Sequence, residues 1–145
     1  MSTVARAIHL AAIWLFAVCT VVQVFFAGLG VFVSPDRFAL HRAFGYTFGL
    51  LLLVVIVAAI VGRLGRRQIG YAVGLMVLFT LQSVLVAVRT SAPEIAALHP
   101  VNGFLVVAVA FVSGRDAWTA WRVRGTQSTP TPGGQVEEAG ASRAV

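Results

Sequence analysis

The sequence lacks lysine altogether and has little charge of either sign. Of its 145 residues, 11 are Lys or Arg, five are Asp or Glu, and charged residues make up only 11% of the chain. A soluble domain of average composition carries about 25% charged residues. With 59% hydrophobic residues and a mean hydropathy of +0.90, this chain is short of the polar groups that a hydrated surface requires. The composition therefore excludes an ordinary soluble domain and predicts a membrane protein.

Cysteine is scarce as well, and no basic patch is visible. The single cysteine, Cys19, lies among apolar residues, which excludes an internal disulfide and is typical of a small packed side chain. The formal net charge of +6 would suit a nucleic-acid partner only if the arginines formed one basic face. They are instead scattered between apolar runs. No nucleic-acid partner is expected, and the predicted partner is the lipid bilayer.

Long apolar runs are what the sequence has in abundance. A helix needs about 20 apolar residues to cross the hydrocarbon core of a bilayer. Four segments meet this requirement, so the sequence predicts an all-α, four-helix transmembrane bundle with spans over residues 4–33, 35–61, 69–88 and 93–121. The first run is longer than the apolar part of a cleaved signal peptide, which has about 7–15 residues. It is therefore expected to remain as a span.

The composition changes near the end of the chain. From Gly125 onward, Ser, Thr, Pro and Gly replace the apolar residues, and such a segment cannot bury a core. We predict a transmembrane domain over residues 1–124 and a disordered cytoplasmic tail over residues 125–145.

The arginines predict the orientation in the membrane. With four spans, the N-terminus, the turn between spans 2 and 3 and the C-terminal end share one side, which holds Arg6, Arg63, Arg66, Arg67, Arg115, Arg122 and Arg124. The opposite side holds Arg37, Arg42 and Arg89. Because cytoplasmic loops carry the excess of basic residues, both termini are predicted to be cytoplasmic. Abundant Ala, Val, Gly and Arg without Lys is typical of a GC-rich bacterial genome, which predicts the bacterial cytoplasmic membrane.

An internal repeat is hidden in the apolar background. Residues 35–45 and residues 93–103 both contain Pro, an acidic residue, two further residues, Ala-Leu-His, three further residues and Gly. The offset is 58 residues throughout. Matching Ala-Leu pairs are common in this composition, whereas matching Pro, acid, His and Gly together is not. Spans 1–2 and spans 3–4 are therefore predicted to be one helical hairpin in two copies. Gln23 and Gln82 lie at comparable depth in spans 1 and 3, one residue out of register.

The repeat places His41 and His99 at the same depth in two spans that run in the same direction. Each lies six residues inside the start of its span, about 9 Å along a helix. If both face the bundle centre, they face each other. Two facing imidazoles are typical axial ligands of a haem iron, and bundle cores commonly hold such cofactors. The pattern therefore favours one haem b with His41 and His99 as its metal ligands.

Neighbouring residues fit such a cofactor. Gly45 and Gly103 each follow a histidine by four residues, on the same helix face, and a missing side chain there leaves room for a flat macrocycle. Arg37, Arg42 and Arg89 lie on the side where haem propionates would emerge, which would explain basic residues on the disfavoured side. A zinc site would need a third and a fourth ligand, and no Cys, His or carboxylate lies at this depth.

The third histidine, His9, has no partner in the repeat. It lies one turn from Arg6, near the end of span 1, and is expected to be an interfacial residue.

The segments 23–30, 40–45 and 98–103 resemble an uncharacterised family of small bacterial four-helix membrane proteins. The resemblance covers most of residues 5–122 and implies no known activity. The arrangement is also distantly similar to one four-helix half of haem A synthase and to other b-type membrane cytochromes. In those proteins the haem ligands lie on helices 2 and 4, which implies the pair His41 and His99, although Pro100 departs from their pattern. Span 1 lacks the catalytic carboxylate of haem A synthase, so its oxidation chemistry is not implied.

Two functions remain open from the sequence. One is a b-type haem protein for electron transfer or redox sensing, whose partner is a redox protein or a membrane complex. The other is a cofactor-free scaffold or accessory subunit that binds a lipid or a partner protein, which the Phe- and Leu-rich surface favours. The sequence identifies no catalytic constellation, and it leaves a homo-oligomer open.

Overall fold

The computed structural model describes residues 2–127, and all of its elements are helical. The elements are α1 (Ser2–Phe32), a 3₁₀ turn (Pro35–Arg37), α2 (Phe38–Gly49), α3 (Leu51–Val61), α4 (Arg66–Ala87), α5 (Pro93–Ala96) and α6 (Leu98–Gln127). They form four helical stretches that are long and apolar enough to cross a membrane. The predicted four-helix transmembrane fold is confirmed, and the chain is a multi-pass membrane protein. Span 1 is α1, span 2 is α2 with α3, span 3 is α4, and span 4 is α5 with α6.

The observed helix ends differ from the predicted ones by a few residues. Span 3 begins at Arg66, directly after Gly65, whose φ of +86° lies in the left-handed region that glycine adopts without strain. Span 4 continues to Gln127, so the first three residues of the predicted tail are helical. The rest of that tail, residues 128–145, lies outside the described residues.

Both loops that precede spans 2 and 4 lead into a short turn that begins with proline. Pro35 begins the 3₁₀ turn and Pro93 begins α5, with Asp36 and Glu94 in their first turns. Proline suits this position because it lacks the N–H that a first helical turn leaves unpaired, and an acidic residue there interacts favourably with the positive end of the helix dipole. The sequence repeat is thus also a structural one.

The four spans surround a small apolar core. Span 1 contacts spans 2 and 4, and span 3 contacts the same two neighbours, so spans 2 and 4 lie across a diagonal. Three phenylalanine rings meet between them: the ring centres of Phe16 and Phe48 are 5.3 Å apart, those of Phe48 and Phe79 are 5.4 Å apart, and those of Phe16 and Phe79 are 5.8 Å apart. This aromatic cluster fills the middle of the bundle.

The interfacial position expected for His9 is wrong, because this side chain is 0% exposed. Its Nδ1 donates to the carbonyl oxygen of Val55 at 3.1 Å, and its Nε2 lies 3.3 Å from Oε1 of Gln68. The Ser113 hydroxyl donates to the same Gln68 oxygen at 2.9 Å, and Nε2 of Gln68 donates to the Ser113 carbonyl oxygen at 3.3 Å. These contacts join all four spans in one polar layer.

The rotation of span 1 explains the burial of His9. Ile13 and Phe16 lie four and seven residues further along α1 and are also 0% exposed. Residues at this spacing share one face of a helix, so the face that carries His9 is the one that faces the bundle centre.

The two ends of the bundle differ in charge. The arginine-rich face is the end that carries Arg6, Arg63, Arg66, Arg67, Arg115, Arg122 and Arg124. There the Arg6 side chain donates to the carbonyl oxygen of Gly62 at 2.8 Å, which ties the start of span 1 to the turn between spans 2 and 3. The opposite end, which carries His41 and His99, is called the histidine face.

Gly49 provides a test of the core packing. A Cβ at Gly49 would lie 2.5 Å from Cε1 of Phe79, whereas a Cβ at Gly28 would meet nothing within 4 Å. We expect Gly49→Ala to lower the free energy of unfolding by about 1–3 kcal/mol, because the added methyl group overpacks the aromatic cluster. The measurement is SDS-induced unfolding in detergent micelles, followed by circular dichroism. Gly28→Ala is the matched control and should leave the stability unchanged or slightly raised. Equal stabilities of the two variants would contradict this description of the core.

Candidate functional site

His41 and His99 face each other at the histidine face of the bundle. Their ring centres are 6.1 Å apart and their ring planes make an angle of 66°. Both side chains are partly buried. His41 lies in the first turns of α2 and His99 in the first turn of α6, each a few residues after the proline that begins its span. The repeated turn thus sets the depth of both rings.

Each imidazole is held by a backbone carbonyl of the preceding span. Nδ1 of His41 lies 3.0 Å from the carbonyl oxygen of Gln23, and Nδ1 of His99 lies 3.1 Å from that of Gln82. A carbonyl oxygen only accepts hydrogen bonds, so Nδ1 carries the hydrogen in both rings. In a neutral ring this leaves the lone pair on Nε2. Histidines that bind metals in proteins are commonly oriented by such a hydrogen bond.

The glutamine side chains complete these contacts in the opposite direction. Nε2 of Gln23 donates to the carbonyl oxygen of His41 at 2.6 Å. The amide of Gln82 has two orientations, which exchange its oxygen and nitrogen. In the orientation that pairs donors with acceptors, its nitrogen donates to the carbonyl oxygen of His99 at 2.9 Å. Each hairpin therefore holds its histidine by one reciprocal Gln–His contact.

Gly45 and Gly103 lie beneath these amides. A Cβ at Gly45 would be 2.7 Å from Nε2 of Gln23, and a Cβ at Gly103 would be 3.1 Å from the side-chain amide of Gln82. The glycines therefore leave room for the glutamine side chains that hold the histidines. Whether they also lie against a macrocycle, as the sequence predicts, stays a prediction.

The two halves of the site differ at one position of the repeat. Asn102 is 5% exposed, and its Nδ2 donates to the carbonyl oxygen of Leu78 at 2.8 Å. The equivalent residue of the first copy is Phe44, whose ring centre lies 5.2 Å from those of Phe26 and Phe48. One side of the site is therefore polar and the other aromatic.

Two buried oxygens near the histidines have no hydrogen-bond partner. They are Oε1 of Gln23 and Oδ1 of Asn102. A buried acceptor without a partner is costly, so such atoms commonly mark a place where a further group binds.

The three predicted arginines lie at the histidine face, but no contact between them and the two imidazoles is described. Arg37, Arg42 and Arg89 are exposed. Nη1 of Arg89 donates to the carbonyl oxygen of Val86 at 3.2 Å, at the end of span 3. The structure thus brings His41 and His99 together and leaves the arginines around them at the surface.

The two imidazoles are the candidate metal ligands of this site. Within residues 2–127, no group of three or more His, Cys, Asp or Glu side chains could hold a metal ion. The arrangement can bind one metal ion from two sides, provided that another group supplies the remaining ligands.

Gln23 and Gln82 are the residues of the candidate site that the sequence pattern does not single out. In the sequence they stand out only as polar residues at comparable depth in spans 1 and 3. Their placement in the span before each histidine is the available indication, because the long polar side chain of a glutamine inside a span needs a hydrogen-bond partner within the protein.

One family model matches part of the chain, and the activity of that family is unknown. Residues 23–90 match a family of unknown function (DUF6220). The matched segment begins at Gln23, includes His41 and Gln82, and ends before His99. No curated protein sequence and no solved structure matches the chain. The chain is thus similar, over residues 23–90, to a family whose function is itself unknown.

Proposed function

We propose that the protein binds one b-type haem between spans 2 and 4, with His41 and His99 as axial ligands, and uses it for electron transfer or redox sensing. The observation that carries this proposal is the pair of facing imidazoles, each with its Nδ1 bound to a backbone carbonyl. The distant similarity of the sequence to b-type membrane cytochromes points to the same two spans.

The ring separation supports a metal between the imidazoles. Two imidazoles bound on opposite sides of one metal ion, at metal–nitrogen distances of about 2 Å, have ring centres about 6 Å apart. A direct hydrogen bond between the rings, with an N···N distance of about 3 Å, would bring the centres to about 5 Å. The 6.1 Å between His41 and His99 agrees with the first arrangement.

The position of the hydrogen on each ring also supports a metal ion between the imidazoles. With hydrogen on both Nδ1 atoms, both Nε2 atoms are acceptors while the rings are neutral. Two acceptors cannot hydrogen-bond each other, so His41 and His99 gain nothing from their proximity alone. A cation between them satisfies both lone pairs. Residues 2–127 contain no group of three or more His, Cys, Asp or Glu side chains that could hold a metal ion, so His41 and His99 would hold an iron whose other ligands a haem would itself supply.

The surroundings suit the other parts of a haem. Phe26 and Phe44 form an apolar wall beside the histidines, and the Phe38 ring lies edge-on to His41 with ring centres 6.4 Å apart. Arg37, Arg42 and Arg89, at the same end of the bundle, are the candidate partners for the propionates, because guanidinium groups pair strongly with carboxylates.

His41 and His99 would hold the haem, and the chemistry that it would supply between them is the transfer of one electron. The electron donor and acceptor are redox partners in or at the membrane.

We also propose that the arginine-rich face is cytoplasmic, in a bacterial cytoplasmic membrane. This rests on the excess of arginines at that end of the bundle. The haem then lies near the outer face.

The absorption spectrum tests the haem proposal. We expect the protein, purified after expression with added haem, to show a Soret band that shifts when dithionite reduces the iron. His41→Gly and His99→Gly should each lose or change this spectrum, and millimolar imidazole should restore the six-coordinate form. Tyr46→Phe, an exposed change on α2, is the control and should keep the wild-type spectrum. A folded protein without a Soret band after haem addition would refute the proposal, and unchanged spectra in both histidine variants would refute the ligands.

A double-mutant cycle tests how Gly45 serves the site. We expect Gly45→Ala to weaken haem retention by about 10–100-fold, because its Cβ displaces the Gln23 amide that holds His41. Gln23→Ala removes the same contact, so the double variant should be no worse than the poorer single variant. Retention is measured by the rate of haem transfer to apomyoglobin. Additive losses would show instead that Gly45 contacts the macrocycle directly.

Reporter fusions test the orientation. We expect fluorescent protein to be active when it is fused after Leu64, and periplasmic alkaline phosphatase to be active when it is fused after Ser91. The first position lies at the arginine-rich face and the second at the histidine face. The opposite pattern would reverse the proposed orientation.

A further inference from the structure

A second candidate site lies at the other end of the bundle. Where span 3 begins and span 4 ends, a cleft of about 790 Å³ opens on the arginine-rich face. It is called here the arginine cleft and is lined by Arg67, Arg115, Asp116, Thr119, Ala120, Val123 and Arg124. We propose that the arginine cleft binds the phosphate group of an anionic phospholipid from the adjoining leaflet.

The charges of the cleft favour an anion. Nη2 of Arg67 lies 2.5 Å from Asp116, and Nη2 of Arg115 lies 3.6 Å from the same carboxylate. The Asp116 side chain is only 16% exposed, whereas those of Arg67 and Arg115 are 69% and 66% exposed. The Asp116 carboxylate is therefore turned inward, and the guanidinium groups of Arg67 and Arg115 are presented outward. Among the described residues that line the cleft, three side chains are positive and one is negative.

Arg67 is held in place for such a contact. Its Nε donates to the Tyr71 hydroxyl at 3.1 Å, its guanidinium carbon lies 5.7 Å from the centre of the Tyr71 ring, and the Tyr71 hydroxyl donates to Asp116 at 3.2 Å. A guanidinium group has five N–H donors, of which the Tyr71 contact uses one and the Asp116 ion pair another. The ordered donors that remain match the oxygens of a phosphate.

The place of the cleft favours a lipid over a soluble phosphate. It lies at the end of two membrane spans, at the level of the exposed Trp118 and Trp121, and such aromatic residues mark the boundary between hydrocarbon and headgroups. Ala120 and Val123 give the lining an apolar part beside the charged one. The glycerol and first acyl carbons of a lipid can cover these residues, whereas inorganic phosphate cannot. Basic pockets between spans are known lipid-headgroup sites.

Thermal unfolding in detergent tests the proposal with three probes: dioleoyl-phosphatidylglycerol, dioleoyl-phosphatidylcholine and inorganic phosphate. We expect only phosphatidylglycerol to raise the Tm of the full-length protein, by about 4–8 °C when it saturates the site. Arg115→Gln and Arg67→Gln should each lose most of that increase. The quantity compared is the lipid-induced shift of each variant, so a lower starting Tm does not affect the test.

Arg122→Gln is the matched control, because Arg122 lies on the same helix end but outside the cleft lining. It should keep the shift. An equal loss in Arg122→Gln would overturn the proposal in favour of general charge attraction. A similar shift with inorganic phosphate would overturn the lipid as ligand, and equal shifts with both lipids would overturn the site itself. None of these results depends on haem binding.

Discussion

A polar side chain inside the hydrocarbon must find a hydrogen-bond partner within the protein, because no water is available there. Thr20 bonds to carbonyls of its own helix, whereas the His9 and Gln23 side chains bond to another span. This constraint determines how the four helices meet. Near the arginine-rich face, contacts of His9, Gln68 and Ser113 join all four spans in one polar layer. Near the histidine face, one reciprocal Gln–His contact joins the two spans of each hairpin. Apolar packing alone would allow the helices to slide and rotate, whereas two polar layers at different depths fix both their register and their rotation.

The spans and the repeat could be predicted because they depend on local composition and on residue spacing. The direction in which each side chain points could not be predicted from the sequence, and His9 shows why. In a soluble bundle, the alternation of polar and apolar faces reveals which face is buried. In a membrane bundle the residues facing lipid are as apolar as those facing the core, as exposed Leu15 and Val18 beside buried Ile13 show. The face of His9 was therefore invisible until the neighbouring spans were in place.

The candidate site likewise has one part that could be predicted from the sequence and one part that could not. The spacing of the repeat predicted that His41 and His99 lie at equal depth, and the structure adds that their rings face each other. The one-residue offset between Gln23 and Gln82 looked like an imperfection of the repeat. It is tolerated because the histidine ring reaches a backbone carbonyl, and every residue has one. The relation between Gly45 and the Gln23 amide depends on the contact between two helices, which spacing within one helix does not encode.

The diagonal placement of the two histidines has a thermodynamic consequence. Each hairpin contributes one imidazole, so neither half of the chain contains a complete site. A group that bridges the rings binds only when both hairpins are inserted and joined, and its binding free energy then adds to that of their association. Binding of such a group would in this way be coupled to folding. The hydrogen bonds described at the histidine face lie within each hairpin, so a bridging group would link the two halves there, and its loss would loosen the histidine face first.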